Sequence, residues 1–407
     1  MNPFRFGSPV AGDHFVGREK MVRQVIDAVR TGQNLVLFGE RRQGKTSILL
    51  EAARRAETLH LWVDLNLVQD EADLIGRLRN GLHDLIRTSP MNVRLRDLLD
   101  RARFGIFGSL DAGGMMALPL PYVKERTLDT VQQFFAAVQT LHAQIPFLIV
   151  FDEFQGLLEL KSAGSLQGVM RGEIQRQQKI PYLFAGSMRH QMYEMFMNPA
   201  NPFYNFAIPI EVGPLPETEF VPYLEQCFVS GGRATDVACL QQIYRLVAGN
   251  TGDVQKLCYY LWNVTSAGDR IDTAAIRRGI AEVCEAEHLL YERSLSQLNA
   301  SQTRVLVTLA LIDGEAPYGR QARQLLGTEG QATTIQRALA KLVKENFIYQ
   351  RPDEERYRFS SPFFRAWLLE RERPGALLSA WPFSDAVAAV SASPMPASSP
   401  SLPKNRK

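Results

Sequence analysis

At 407 residues the chain is too long for one ordinary hydrophobic core, so two or three domains are expected. Its 45% hydrophobic and 22% charged residues are those of a soluble globular protein, not of a disordered one. A formal net charge of +3 leaves whole-chain electrostatics silent on nucleic acid, so any basic surface must be local. The four cysteines (Cys227, Cys239, Cys258 and Cys284) form no CxxC pair and have no nearby histidine cluster, which points to buried reduced thiols. The first nine residues lack a basic stretch followed by an apolar run, and no apolar run approaches the ~20 residues of a membrane span. A cytoplasmic protein with no membrane partner is expected.

The first 213 residues alternate short β-branched runs with amphipathic helical stretches, the pattern of a parallel sheet covered by helices. Strands are predicted over residues 34–38, 60–65, 146–151, 182–185 and 207–212, with helical periodicity clearest over 45–56 and 128–142. Residues 103–122 hold glycine and proline without helical period and read as an inserted loop or hairpin. From 214 to 298 the pattern is helical, broken at Gly231-Gly232, at Gly249 to Gly252 and at Gly268-Asp269, which suggests a bundle of about four helices. Residues 299–372 read as three helices followed by two short strands near 347–350 and 356–359. The last stretch, 373–407, is rich in Ala, Ser and Pro and is expected to be disordered, since it cannot bury enough apolar surface to offset ordering entropy.

Chemistry concentrates at three strand ends. The first predicted strand runs directly into Gly39-x4-Gly44-Lys45-Thr46, and a helical pattern begins at once. Glycines there let backbone N–H groups turn inward around phosphate oxygens, and the helix N-terminus adds its positive dipole end. Lys45 is then the cation for the β- and γ-phosphates of ATP, and the Thr46 hydroxyl a ligand of Mg²⁺. The apolar run of residues 147–151 ends in Asp152-Glu153. Asp152 suits the metal side of such a site, and Glu153 a base that orients or deprotonates the attacking water. The next strand ends in Gly186-Ser187, where Ser187 is either a polar sensor of the γ-phosphate or a cap for the following helix. All three strand ends fall where ligands of open α/β sheets bind.

These motifs carry a resemblance. Phe15-Val16-Gly17-Arg18-Glu19, Gly39 through Ser47, Phe151-Asp152-Glu153-Phe154-Gln155 and Gly186-Ser187-Met188-Arg189-His190 together resemble the archaeal-type ATPases of the AAA/STAND lineage, which also occur in bacteria. The likeness covers roughly residues 2–370 and includes Thr333-Thr334-Ile335-Gln336-Arg337-Ala338-Leu339 and Tyr357-x-Phe359-x2-Pro362-Phe363-Phe364-x2-Trp367-Leu368. It implies an α/β P-loop core over 1–213, a helical lid over 214–298 and a winged helix over 299–372. It also implies that the Arg18 box packs by the adenine and that Gly39, Gly44, Lys45, Thr46 and Ser47 bind the nucleotide.

Two departures are informative. No arginine lies between Gln191 and Val212, where ring-forming relatives carry a finger, and Gln255 stands where origin-recognition relatives carry a sensor arginine. Both remove cationic help for γ-phosphoryl transfer, so slow hydrolysis by a nucleotide-controlled switch acting on a protein partner is expected, with nucleotide-dependent oligomerisation open. The alternative is a DNA-associated ATPase. The helix over 331–346 would bury Ile335, Ala338, Leu339, Leu342 and Val343 and display Arg337, Lys341 and Lys344, with Arg351, Arg356 and Arg358 around a wing whose turn also holds Asp353, Glu354 and Glu355. His190 and the acidic run 282–287 read as surface features, and Phe363, Phe364 and Trp367 as core.

Overall fold

The computed structural model describes residues 1–102, 124–187, 189–327, 330–350, 354–372 and 374. The sequence readings of a loop over 103–122, of Arg351 and Asp353 and of a tail from 375 lie outside the described residues, as do the side chains of Arg189 and His190. The chain divides into two compact units. One comprises Arg5–Tyr223 together with Gly249–Gln255; the other comprises Met1–Phe4, Leu224–Ala248 and the residues from Lys256 onward.

The first unit is built on five strands: β1 (Leu35–Phe38), β2 (Leu59–Asp64), β3 (Phe147–Asp152), β4 (Tyr182–Gly186) and β5 (Ile208–Glu211). All pair in parallel in the order β2-β3-β4-β1-β5, so β4 stands between β1 and β3. The predicted strands agree with these to within one residue at most ends. Side chains alternate between two cores, as the period of two requires. Leu35, Leu37, Leu148, Val150, Leu183 and Ala185 face α1 (Glu19–Thr31) and α2 (Lys45–Arg55). Val36, Phe38, Phe147, Ile149, Phe151, Tyr182 and Phe184 face the opposite layer. That layer is α3 (Glu71–Thr88), α4 (Asn92–Ala102), α5 (Lys124–His142), α6 (Ala163–Arg176) and α7 (Arg189–Met197), with a 3₁₀ turn over Phe154–Glu159.

Helix ends follow local chemistry. Asp70 accepts the Asp73 N–H at 2.8 Å and caps α3. The N-terminal segment is moored to α2: the Val10 N–H donates to Ser47 Oγ at 3.1 Å, and the Gly12 N–H to Glu51 Oε2 at 2.8 Å. Glu51, 1% exposed, also accepts from Arg54 and Arg55, and Arg55 reaches on to Glu19. These donors, Arg54 first, hold the Glu51 carboxyl down to about 2. A depressed carboxyl stabilises the fold above its unfolded pKa and loses that contribution as pH falls through the folded value. Glu51→Gln should therefore cost about 2 kcal/mol at pH 7, after allowing for the solvent around the arginines. The deficit should shrink between pH 4.5 and pH 2 in urea unfolding of the full chain; an equal deficit at both ends of that range would dismiss the ionic origin.

The second unit begins within α8 (Glu217–Ser230) and continues through α9 (Val237–Leu246), the later part of α10 (Thr251–Asn263), α11 (Thr273–Ala286) and α12 (His288–Leu295). Sequence periodicity missed a two-stranded parallel pair here, β6 (Ala234–Thr235) with β7 (Arg270–Ile271), because two-residue strands carry no readable alternation. Then come α13 (Ala300–Leu311), α14 (Arg320–Leu326), α15 (Ala332–Lys344), the antiparallel pair β8 (Ile348–Gln350) and β9 (Tyr357–Phe359), and α16 (Pro362–Glu372). Phe363, Phe364 and Trp367 are buried, and Trp367 Nε1 donates to His288 Nδ1 at 3.0 Å. Ile335, Ala338, Leu339 and Leu342 form the buried stripe of α15, whereas Val343 is 43% exposed. The expectation for Val343 is corrected: it follows Leu342 by 100° of helix turn and lies past the rim of the stripe.

Candidate functional site

The C-terminal ends of β1, β3 and β4 meet through the register Phe38 with Gly186 and Phe151 with Phe184. β1 hands over to the phosphate loop at Gly39. A Cβ there would stand 2.1 Å from the Val212 carbonyl oxygen just beyond β5, so the loop cannot leave the sheet with a side chain at this position. Gly44 has φ +86° and precedes α2, whose first residues are Lys45 and Thr46. Free N–H groups at a helix N-terminus favour anions.

Lys45 is buried, and its Nζ donates to the carbonyls of Gly39 and Glu40, both at 2.9 Å. Burial pulls its ammonium down to about 8, partly offset by the charges of Glu153 and Asp152. Thr46 Oγ1 donates to Asp152 Oδ2 at 2.9 Å. Burial pushes the Asp152 carboxyl up to about 6 against that hydrogen bond and the one from the Glu153 N–H. A hydroxyl and a carboxylate oxygen are hard donors of the kind Mg²⁺ takes beside phosphates and waters, so the pair fits that ion.

Glu153 breaks from the strand with φ +50°, a left-handed conformation that costs a non-glycine residue about 1–2 kcal/mol. Its neighbours hold it there. Phe151, Phe154, Phe184, Phe196 and Phe203 pack ring to ring beneath the corner, with centroids 4.7 Å apart for Phe154 and Phe184 and 5.2 Å for Phe154 and Phe203. The turn aims the Glu153 carboxylate at Ser187, whose Oγ donates to Glu153 Oε2 at 2.5 Å and whose N–H donates at 3.2 Å. Gln155 Nε2 donates to the same oxygen at 2.5 Å.

The structure thus brings Lys45, Thr46, Asp152, Glu153 and Ser187 together. Two other sequence candidates have partners of their own: Ser47 Oγ accepts the Val10 amide, and Arg18 donates to the Gly213 carbonyl at 2.7 Å while its N–H meets Glu219. Gln155 was visible in the motif but carried no assigned role. Also unforeseen is what lies against the phosphate loop. Residues Gly249–Gln255, at the start of α10, meet it at four points. Asn250 Nδ2 donates to the Arg41 carbonyl at 3.0 Å, and the Gly252 N–H to the Arg42 carbonyl at 2.9 Å. Thr251 faces Gln43 at 3.4 Å, and Arg42 pairs with buried Asp253 at 2.8 Å. A Cβ on Gly252 would come within 2.7 Å of Arg42 Cβ, so this close approach depends on glycine. The Gln255 side chain accepts the Arg5 amide at 3.3 Å.

This geometry is that of an α/β P-loop NTPase fold, and solved structures agree. A Walker-type ATPase of Pyrococcus abyssi aligns over 90% of this chain and 99% of its own at 17% identity, with a TM-score of 0.61. The ORC1 protein of Aeropyrum pernix, solved in complex with DNA, aligns over 93% of this chain and 96% of its own at 13% identity, with a TM-score of 0.50. No protein-family model matches the chain, and no curated protein matches it in sequence. Among the described residues no helix is long and apolar enough to cross a membrane.

Proposed function

We propose that the chain is a Mg²⁺-dependent ATPase that turns over slowly and acts as a nucleotide-controlled switch for a protein partner. The observation that carries this reading is the convergence of Thr46 on Asp152 and of Ser187 on Glu153 beside the Lys45 ammonium. In the reaction a water oxygen attacks the γ-phosphorus, and the bond from that phosphorus to the bridging oxygen breaks with its electron pair leaving on ADP. Glu153 accepts the proton the water gives up. Ser187 and Gln155 occupy one oxygen of that carboxylate and fix its direction, leaving the other to face the water. Lys45 exchanges its two carbonyl partners for β- and γ-phosphate oxygens. Thr46 and Asp152 would hold Mg²⁺, which neutralises phosphate charge when bound.

The switch reading rests on the segment Gly249–Gln255. It touches the loop that binds phosphate and continues covalently through α10 into the second unit. A change at the loop therefore has a direct mechanical outlet. The second reading gives residues 299–372 the role of a winged helix on duplex DNA, as the DNA complex of the Aeropyrum ORC1 protein suggests. It stands second because the basic groups are largely engaged. Lys341 pairs with Glu345 at 2.6 Å, Arg358 with Glu354 at 2.6 Å, and Arg356 with Asp313 at 3.5 Å.

Steady-state phosphate release by the full chain tests both readings. Turnover on the order of 10⁻² per second, abolished by EDTA and unchanged by duplex DNA, is expected. A severalfold rise with DNA, lost in the Arg337→Glu, Lys341→Glu double variant, would put the second reading first. Failure to bind a fluorescent ATP analogue would end both.

A further inference from the structure

The phosphate loop carries two adjacent arginines, and they are used differently. Arg42 is committed to Asp253 at 2.8 Å. Arg41 is exposed and, among the described residues, has no carboxylate partner; its Nε lies 3.4 Å from Ser187 Oγ. That hydroxyl is the one donating to Glu153, so Arg41, Ser187 and Glu153 form a chain that ends at the base. Arg41 is also near enough to Lys45 for its charge to disfavour the ammonium. The guanidinium is therefore close both to the cation of the phosphate loop and to the hydroxyl that holds the group activating water.

We propose that Arg41 supplies, from within the same chain, the guanidinium that stabilises the γ-phosphoryl group during transfer. This deepens the ATPase reading and rests on it. A phosphoryl group in transfer spreads negative charge over three equatorial oxygens, and a planar fork of N–H donors meets two of them at once, where an ammonium meets them as a point charge. Arg41 is suited to the task because it is uncommitted in the resting site. A hydrogen bond of 3.4 Å is near the limit of the interaction, so little is lost when the side chain swings to a phosphate. Ser187 is the pivot, sensing the arginine on one side and holding Glu153 on the other. Bond-making is unchanged from the hydrolysis given above: water supplies the oxygen, ADP leaves with the electron pair, and Arg41 neither gains nor loses a proton.

The structural alternative, that Arg41 merely shapes the loop, predicts equal loss of binding and turnover. The test compares full-length wild type with Arg41→Ala and Arg41→Lys in three measurements: kcat for MgATP, the directly measured Kd for MgATP, and trapping of ADP with aluminium fluoride, a mimic of the phosphoryl group in transfer. For Arg41→Ala, kcat should fall by about 100-fold or more while the Kd for MgATP changes by less than about threefold. Trapping should be lost with it. Arg41→Lys should recover less than about a tenth of the rate, and millimolar guanidinium should raise turnover of Arg41→Ala but not of wild type. Wild type that hydrolyses ATP alongside an equally active Arg41→Ala overturns this inference and leaves the ATPase reading standing. Loss of binding in step with turnover in Arg41→Ala also overturns it. A wild type that neither hydrolyses ATP nor traps the mimic overturns both.

Discussion

Replacing Glu153 with glutamine should lower ATP turnover by about three orders of magnitude while nucleotide affinity stays within about threefold of wild type, because a positioned base contributes typically 10²–10⁴-fold to rate and little to ground-state binding. The substitution is close to isosteric. The amide oxygen can still accept the Ser187 hydroxyl, so the corner built on Phe154 and Phe184 should keep its shape. What disappears is the second carboxylate oxygen, the one able to take the proton from water. Phosphate release and binding of a fluorescent ATP analogue, measured on the same preparations, separate the two effects. Residual turnover within tenfold of wild type would mean that the base is another group.

Lys45→Met should have effects of opposite sign on binding and on stability. Losing the ammonium should weaken nucleotide binding by about 100-fold, roughly 2.7 kcal/mol, since hydrogen bonds to charged groups contribute about 1.5–3 kcal/mol each. Without nucleotide the same change should stabilise the fold. Burial holds the Lys45 ammonium at about 8 against an ordinary 10.5, so the folded chain binds fewer protons than the unfolded chain between those values. The cost of keeping the lysine charged is therefore complete below pH 8 and fades as pH rises to 10.5. At pH 7 the nucleotide-free variant should gain about 2 kcal/mol, with the gap closing in alkaline buffer. Denaturant titrations at pH 7 and pH 10 decide this, and a variant less stable at pH 7 would show that the two carbonyl hydrogen bonds outweigh desolvation.

Much of the first unit was legible because parallel strands are buried on both faces and read as continuous apolar runs. Phe147–Asp152 is the clearest, with its carboxylate marking the strand end. Three things were not. The left-handed turn at Glu153 is imposed by aromatic packing from Phe196 and Phe203, residues that sequence distance hides. The ion pair of Arg356 with Asp313 joins residues 43 positions apart, so a side chain that reads as part of a basic wing has an acidic partner in space. The contact of Asp253 with Arg42 joins positions too far apart for any local pattern to predict.

That last separation, 211 residues, has a consequence for the life of the chain during synthesis. At roughly 5–20 residues per second, the phosphate loop leaves the ribosome about ten to forty seconds before the segment that braces it. The sheet that carries the loop is complete by Glu211, so the nascent protein can hold a folded core whose loop still lacks Asn250, Gly252 and Asp253. Competence for nucleotide is thereby tied to a stretch made well after the core itself. A chain cut short ahead of Gly249 keeps every phosphate-loop residue and loses the wall against which that loop is set.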